Sequence, residues 1–192
     1  MIDGHRVIAL EEHYQDVRLE EHLGCSIKGP MGRALEDLGR GRLQAMDEGG
    51  IEFQVLSHVP PGLQGIDTAA APRLAREIND SLAEIVHRNP DRYAAFASLP
   101  TAAPEAAADE LERTVKDLGF KGAMLSRPSG GLFLDDRRFW PIFQRSEALG
   151  VPIYLHPSKI METVRDAYLG DYARTHPMFG TAAWGYTIET GT

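Results

Sequence analysis

The sequence predicts an α/β fold built from parallel strands, and two observations support this prediction. Five short apolar runs are separated by four longer segments with helical periodicity. The 192 residues are 43% hydrophobic and 25% charged, which suits one globular domain with a sizeable core. Strand–helix–strand repetition at this spacing requires crossover connections between parallel strands. A doubly wound sheet and a (β/α) barrel both fit this pattern.

The strands and helices follow in order along the chain. The predicted strands cover residues 7–12, 53–57, 94–99, 122–126 and 151–156. The predicted helices cover residues 41–48, 72–88, 104–118 and 138–149. Pro72 and Pro104 stand in first turns, where a missing N–H is tolerated. On the second helix, four apolar residues recur on one face: Leu74, Ile78, Leu82 and Ile85.

Two longer segments, residues 15–40 and 158–186, show no clear periodicity. They follow the first and fifth predicted strands. Loops after the strands carry the functional residues of parallel α/β folds, so we expect these segments to form long functional loops.

The composition excludes several classes of partner. A formal net charge of −8 without a Lys/Arg cluster argues against nucleic acid and anionic membranes. No apolar run approaches the roughly 20 residues that a bilayer-spanning helix needs, and the N-terminus lacks the pattern of a signal peptide. The lone cysteine, Cys25, cannot form an internal disulfide. We therefore expect a cytoplasmic protein with a single domain over residues 1–192.

Titratable residues end the first and fifth predicted strands. Strand alternation places Glu11 and His13 on one face and Glu12 on the other. His156 ends the fifth strand, and the active sites of parallel α/β folds gather at such strand ends. Glu11, His13 and His156 could therefore converge on one cation. A single histidine at a strand end is more often structural than a metal ligand, and Glu-x-His by itself is a weak motif.

The chemistry of these residues narrows the type of metal. Oxygen and nitrogen ligands suit Zn²⁺, Mn²⁺ or Fe²⁺ better than Ca²⁺, and a structural zinc site normally has thiolate ligands. His58 and Arg127 end two further predicted strands and could face the same edge. A guanidinium group matches a substrate carboxylate. With Tyr14, they are the candidate substrate-binding residues, although each could also be a plain loop residue.

The segment "VIALEEHY" resembles the first strand of the metal-dependent decarboxylases in the amidohydrolase superfamily, the branch of gamma-resorcylate and 2,3-dihydroxybenzoate decarboxylases. Five other segments resemble that branch in the same order: "RLQAMDEGGIEFQVLS", "NPDRYAAFASLP", "ELERTVKDLGFKGAML", "DDRRFWPIFQRSEALGVPIYLHP" and "AAWGYTIET". The likeness covers nearly the whole chain. The Glu-Glu-His sequence separates this branch from hydrolase relatives that carry His-x-His there.

The resemblance implies a (β/α)8 TIM barrel of the metal-dependent hydrolase type, with about five of its eight strands in this chain. It implies that Glu11, His13 and His156 bind one divalent metal ion, Zn or Mn, without an organic cofactor. The family's proton-donating aspartate is expected beyond Thr192, so no catalytic acid is identifiable within these residues.

The function that the resemblance implies is carbon–carbon lysis, the nonoxidative decarboxylation of a hydroxylated aromatic acid. The expected partner is a small aromatic carboxylate, and the expected assembly is a homo-oligomer, a dimer or tetramer. Two alternatives are a metal-dependent hydrolase of an ester, lactone or amide, and a nonenzymatic remnant. We expect residues 1–192 alone to be inactive, with inward-facing residues such as Val7, Ala9 and Ile153 exposed because five strands cannot close the barrel.

Overall fold

Strands and helices alternate along the chain. The computed structural model describes residues 4–190 except Cys25, Pro128 and Lys159, and the backbone alone at residues 127 and 188–190. The strands are β1 (Ile8–Tyr14), β2 (Phe53–His58), β3 (Tyr93–Ala95), β4 (Ala123–Arg127) and β5 (Ile153–Pro157). The α-helices are α1 (Val17–Leu23), α2 (Gly29–Glu36), α3 (Arg40–Glu48), α4 (Ala71–Arg88), α5 (Pro104–Lys116), α6 (Trp140–Leu149), α7 (Glu162–Tyr168), α8 (Gly170–Thr175) and α9 (Gly185–Thr190). The five predicted strands and four predicted helices are present, with shifted boundaries.

All strand pairs within the described residues are parallel, as the sequence predicts. The strands form one sheet in the order β1-β2-β3 and a second of β4-β5. One isolated parallel bridge, Ala97 to Ala123, links the two sheets. Strand β3 is shorter than predicted because its ladder with β2 ends at Ala95, and the residues that follow pair with β4 only through the isolated bridge at Ala97. Because the paired strands are parallel, their carboxyl ends lie at one edge.

The strands have two distinct faces. The outer face packs against α4, α5 and α6 and forms the main core. The predicted face of α4 contributes to it, since Leu74, Ile78 and Leu82 are at most 1% exposed. Full burial of each such side chain stabilises the fold by about 1.5–3 kcal/mol. The inner face carries a small separate cluster: Val55, Ala94, Phe96, Phe53, Met124 and Tyr154.

Strand β1 contains an irregularity that resets its alternation. Its register with β2 shifts between Ala9 and Glu12, where β1 has one more residue than β2. Ile8 therefore pairs with Phe53, a residue of the inner face. Simple alternation had placed Ala9 on the face of Glu11, and this prediction is wrong because a bulge reverses the faces upstream of it.

The same bulge changes which apolar residues are exposed. Val7, Ala9 and Ile153, which the sequence predicts to be exposed on the inward face, are all partly buried. Ile153 lies on the opposite face of β5 from Tyr154 and packs against the main core. Ile8 and Leu10 are exposed instead, at 49% and 52%. The expectation therefore named the wrong residues of β1.

The two segments without periodicity are not long loops, which corrects the prediction. Residues 15–40 contain α1 and α2, and residues 158–186 contain α7, α8 and the start of α9. The first segment is held by the Gln15 side chain, which donates a hydrogen bond to the Ile27 carbonyl and one to the Glu36 carboxylate. Helices of six to eight residues are too short to give a periodic pattern.

Among the residues that the structure describes, no helix has both the length and the apolar character needed to cross a membrane.

Candidate metal centre

Three titratable side chains meet at the carboxyl edge of the strands. Glu11 and His13 come from β1, and His156 comes from β5. Glu11 Oε1 lies 3.1 Å from His156 Nε2 and 3.9 Å from His13 Nε2. The two Nε2 atoms are 3.2 Å apart. Each residue thus offers one ligand atom, and these atoms lie within 4.8 Å of one another.

These separations fit the ligands of one metal ion. Nitrogen and oxygen ligands stand about 2.0–2.2 Å from Zn²⁺, so neighbouring ligands around one ion are about 3–3.5 Å apart. Two imidazoles and a carboxylate suit borderline divalent metals. The donor set and its spacing are therefore suitable for a divalent cation.

His13 is fixed and neutral. Its Nδ1 lies 3.1 Å from the Ser57 hydroxyl oxygen, which occupies the paired position on β2. Burial, together with the neighbouring His156, lowers the pKa of His13 to about 4, although the Glu11 carboxylate opposes the shift. A metal binds the neutral form of imidazole, so His13 is already in the binding form at neutral pH.

His156 is oriented by its own backbone. It is 5% exposed, and its Nδ1 donates a hydrogen bond to the Pro157 carbonyl at 2.5 Å. In a neutral imidazole this leaves the lone pair on Nε2, the atom that faces Glu11 and His13. Tyr186 on α9 packs edge-on against the His156 ring, with 5.9 Å between centroids.

Glu11 provides the negative charge of the cluster. Its Oε2 accepts a hydrogen bond from the Tyr154 hydroxyl group. Burial raises the pKa of Glu11, but the Tyr154 hydrogen bond and the two nearby histidines outweigh it, so the pKa lies below its usual value. The carboxylate is thus ionised at neutral pH.

Glu12 faces away from this cluster. Its Oε2 accepts a hydrogen bond of 2.9 Å from the Gln54 side chain on β2. Burial raises the pKa of Glu12, while the nearby Arg42 guanidinium opposes that shift. Arg42 also donates a hydrogen bond of 2.5 Å to the His13 carbonyl. Glu12 therefore belongs to a polar group on the outer face.

Tyr14 and His58 are buried on the helix side of β1 and β2. They are each 3% exposed, and their rings pack edge-on with 5.3 Å between centroids. His58 Nε2 accepts a hydrogen bond from the Asp16 backbone N–H, and its Nδ1 donates one to the Val59 carbonyl. Burial lowers the pKa of His58 and raises that of Tyr14. These contacts give both side chains a structural role, and substrate contact by either stays a prediction.

Arg127 is the last residue of β4, and its backbone pairs in register with Pro157, next to His156. Its side chain lies outside the part of the chain that the structure describes. A contact between this guanidinium and a substrate also stays a prediction.

Sequence reasoning missed two residues of the site, Ser57 and Tyr154. Tyr154 precedes His156 by two residues on the same strand, so strand alternation could have placed it on the same face. Ser57 reaches His13 only through the register of β1 with β2, which no local pattern encodes.

Comparisons with known proteins show the family of this chain. The family model described as Amidohydrolase matches residues 4–181. The chain is 39% identical over 197 residues to the gamma-resorcylate decarboxylase of Polaromonas sp.. The matched region covers 95% of this chain and 58% of that protein.

Two solved structures extend the comparison. One is the dihydroxybenzoic acid decarboxylase from Polaromonas sp. JS666, with bound manganese and the inhibitor 2-nitroresorcinol. It matches with a TM-score of 0.82 and 35% identity, and the match covers 96% of this chain and 57% of that chain. The other is the 5-carboxyvanillate decarboxylase from Novosphingobium aromaticivorans, complexed with manganese and 4-hydroxy-3-methoxy-5-nitrobenzoic acid. It matches with a TM-score of 0.87 and 27% identity, and the match covers 98% of this chain and 58% of that chain. This chain spans less than two thirds of the length of these relatives.

The predicted fold class is confirmed, since the parallel strands and crossover helices match structures of these decarboxylases over nearly all of this chain. The described residues contribute five strands to such a barrel. The match of the family model over residues 4–181 and the 39% identity over 95% of the chain lead to one conclusion: the chain belongs to the amidohydrolase family.

Proposed function

We propose that this protein acts in the metal-dependent, nonoxidative decarboxylation of a hydroxylated aromatic carboxylic acid. The observation that carries the proposal is the convergence of Glu11, His13 and His156 within 4.8 Å. Its support from similarity is the relationship to a gamma-resorcylate decarboxylase and to two decarboxylases of aromatic acids.

The proposed cofactor is one divalent metal ion held by Glu11, His13 and His156. Manganese is the first choice because both solved structures compared above contain it, and zinc is the second. A divalent cation at this position would bind the oxygens of the substrate and stabilise negative charge on them. We expect no organic cofactor.

The three ligand residues also set the charge of the site. Two neutral imidazoles and one carboxylate reduce a divalent charge by one unit, so the loaded site would keep a net positive charge. That charge would attract an anionic aromatic acid despite the net charge of −8 of the whole chain. Arg127 is proposed to hold the substrate carboxylate.

In the proposed reaction the bond between the ring carbon and the carboxylate carbon breaks and CO₂ leaves. Its electron pair stays on the ring carbon, which then takes up a proton. The proton donor is proposed to be an aspartate outside residues 1–192, so residues 1–192 by themselves would bind metal without turning over substrate.

The test uses the full-length, manganese-loaded protein with a panel of hydroxybenzoates and a panel of esters, lactones and amides. We expect CO₂ release from at least one hydroxybenzoate, and the Glu11→Gln variant serves as the matched control for metal dependence. Turnover confined to the second panel would contradict the decarboxylase proposal and support a metal-dependent hydrolase.

The chain is proposed to work as a cytoplasmic homo-oligomer, a dimer or a tetramer. The single cysteine fits a reducing compartment. Ile8 and Leu10, which are 49% and 52% exposed, are apolar surface that further polypeptide could cover. Light scattering on the purified protein would measure the assembly, and a monomer would contradict this part of the proposal.

A further inference from the structure

A tyrosine on β5 reaches across the metal centre to β1. The hydroxyl group of Tyr154 donates a hydrogen bond to Glu11 Oε2, although 143 residues separate them in sequence. The strands β1 and β5 belong to different sheets, so no backbone ladder joins them. This side-chain contact therefore joins Glu11 to a strand that makes no backbone pairing with β1.

The ring of Tyr154 is held in place from the other side. It stacks on Phe96, with 6.0 Å between centroids and an interplanar angle of 24°. Both residues belong to the small apolar cluster of the inner face. The stacking restrains the ring that carries the hydroxyl group, and a restrained side chain can orient its partner.

The contact divides the two oxygens of Glu11 between two tasks. Oε2 accepts the Tyr154 hydrogen bond, while Oε1 lies 3.1 Å from His156 Nε2. The Glu11 side chain is 47% exposed, so without the tyrosine it could adopt other rotamers. Ligands held by a second layer of hydrogen bonds keep the geometry that a metal requires.

We propose that Tyr154 is a positioning residue that holds Glu11 so that Oε1 alone is offered to the cation. This inference rests on the proposed metal centre and deepens it, because it assigns a function to a residue outside the three ligands. Tyr154 itself would not touch the ion.

The test is the Tyr154→Phe variant, which removes the hydroxyl group and keeps the ring that stacks on Phe96. The dissociation constant for Mn²⁺ is measured by electron paramagnetic resonance of the free ion, on the whole chain without substrate. We expect binding to weaken by about 10- to 100-fold. The matched control is Tyr168→Phe, at a tyrosine that is 76% exposed, and its affinity should equal that of the wild type.

The outcomes separate this inference from the proposed function. If the wild type binds Mn²⁺ and the dissociation constant of Tyr154→Phe is within twofold of the wild-type value, Tyr154 has no positioning role, while the proposed metal centre is supported. If the wild type binds no Mn²⁺, the metal centre and this inference both fall. The melting temperature of metal-free Tyr154→Phe should match that of the wild type, whereas a purely structural role would lower it.

A second measurement tests the role of Tyr154 without a variant, in case Tyr154→Phe does not fold. In a crystal structure of the manganese-loaded wild-type chain, Glu11 should bind the ion through Oε1 and keep Oε2 on the Tyr154 hydroxyl. Binding through both carboxylate oxygens would overturn the proposal.

Discussion

The Nε2 atoms of His13 and His156 lie 3.2 Å apart, although 143 residues separate the two histidines in sequence. The rings meet edge-on, with 5.0 Å between centroids. Two neutral imidazoles facing each other through Nε2 can share one hydrogen at most, whereas a cation accepts both lone pairs. The pair is thus arranged as metal ligands are, and this arrangement leads to specific predictions.

Removal of any one of the three proposed ligands should greatly weaken metal binding. We expect Glu11→Gln, His13→Ala and His156→Ala each to weaken Mn²⁺ binding by more than about 100-fold, because the loss of a ligand exceeds the 10- to 100-fold effect of an outer partner. Glu12→Gln is the matched control, since Glu12 bonds to Gln54 on the outer face. Metal analysis of the purified variants is the measurement, and metal loss at Glu12 with retention at Glu11 would reverse the assignment.

Ser57→Ala should weaken metal binding less than the ligand variants do. The Ser57 hydroxyl lies 3.1 Å from His13 Nδ1 and fixes the orientation of that ring. Its loss leaves the ring free to rotate, and we expect about a tenfold weaker affinity for Mn²⁺. Ser81→Ala on α4 is the control, because the Ser81 hydroxyl donates only to the Glu77 carbonyl. Equal affinity in Ser57→Ala and the wild type would show that Ser57 does not support the site.

The stability of the metal-free protein should fall in mild acid because of His13. The pKa of His13 is lowered from 6.5 to about 4 in the folded chain. As the pH falls below about 6.5, the unfolded chain takes up a proton that the folded chain refuses until about pH 4. The free energy of unfolding should therefore drop by about 2 kcal/mol between pH 7 and pH 5 through this residue.

Urea unfolding at both pH values measures this effect. The drop should be smaller by that amount in His13→Asn than in the wild type. An identical pH dependence in His13→Asn and the wild type would contradict the lowered pKa of His13.

Arg127→Ala should raise KM more than it lowers kcat in an active preparation. The backbone of Arg127 pairs with Pro157, the neighbour of His156, so the residue stands at the edge where the ligands meet. A guanidinium that only holds the substrate carboxylate contributes equally to binding the substrate and the transition state. Steady-state kinetics on a hydroxybenzoate provide the measurement, and unchanged kinetics would show that the Arg127 side chain does not bind the substrate.

Asn79→Ala should destabilise the fold without changing the ligand residues. Asn79 on α4 is fully buried; its amide donates to the Ser98 carbonyl at 3.0 Å and accepts from the Ser98 N–H at 2.9 Å. It also donates to the Glu110 carboxylate at 2.8 Å. Loss of these buried partners should lower the free energy of unfolding by about 2–4 kcal/mol in urea. Gln44→Ala, at an exposed residue of α3, should change it by less than about 0.5 kcal/mol.

Much of the fold could be predicted because local patterns encode it. The apolar face of α4 follows from the spacing of Leu74, Ile78 and Leu82, and these residues are buried. Parallel strands follow from the alternation of short apolar runs with helices. The convergence of Glu11 with His156 follows from one further step, since parallel strands that end in polar residues bring those residues to one edge.

The tertiary structure alone decided the details that fix the site. The bulge between Ala9 and Glu12 depends on how β1 pairs with β2, so the sequence of β1 could not reveal it. The hydrogen bond from Tyr154 to Glu11 likewise joins residues of different sheets. Local sequence determines which segments become strands and where their polar ends lie. Contacts between distant segments set the register of the strands, and the register decides which side chains meet. These contacts form only when the chain folds, so no local pattern in the sequence encodes them.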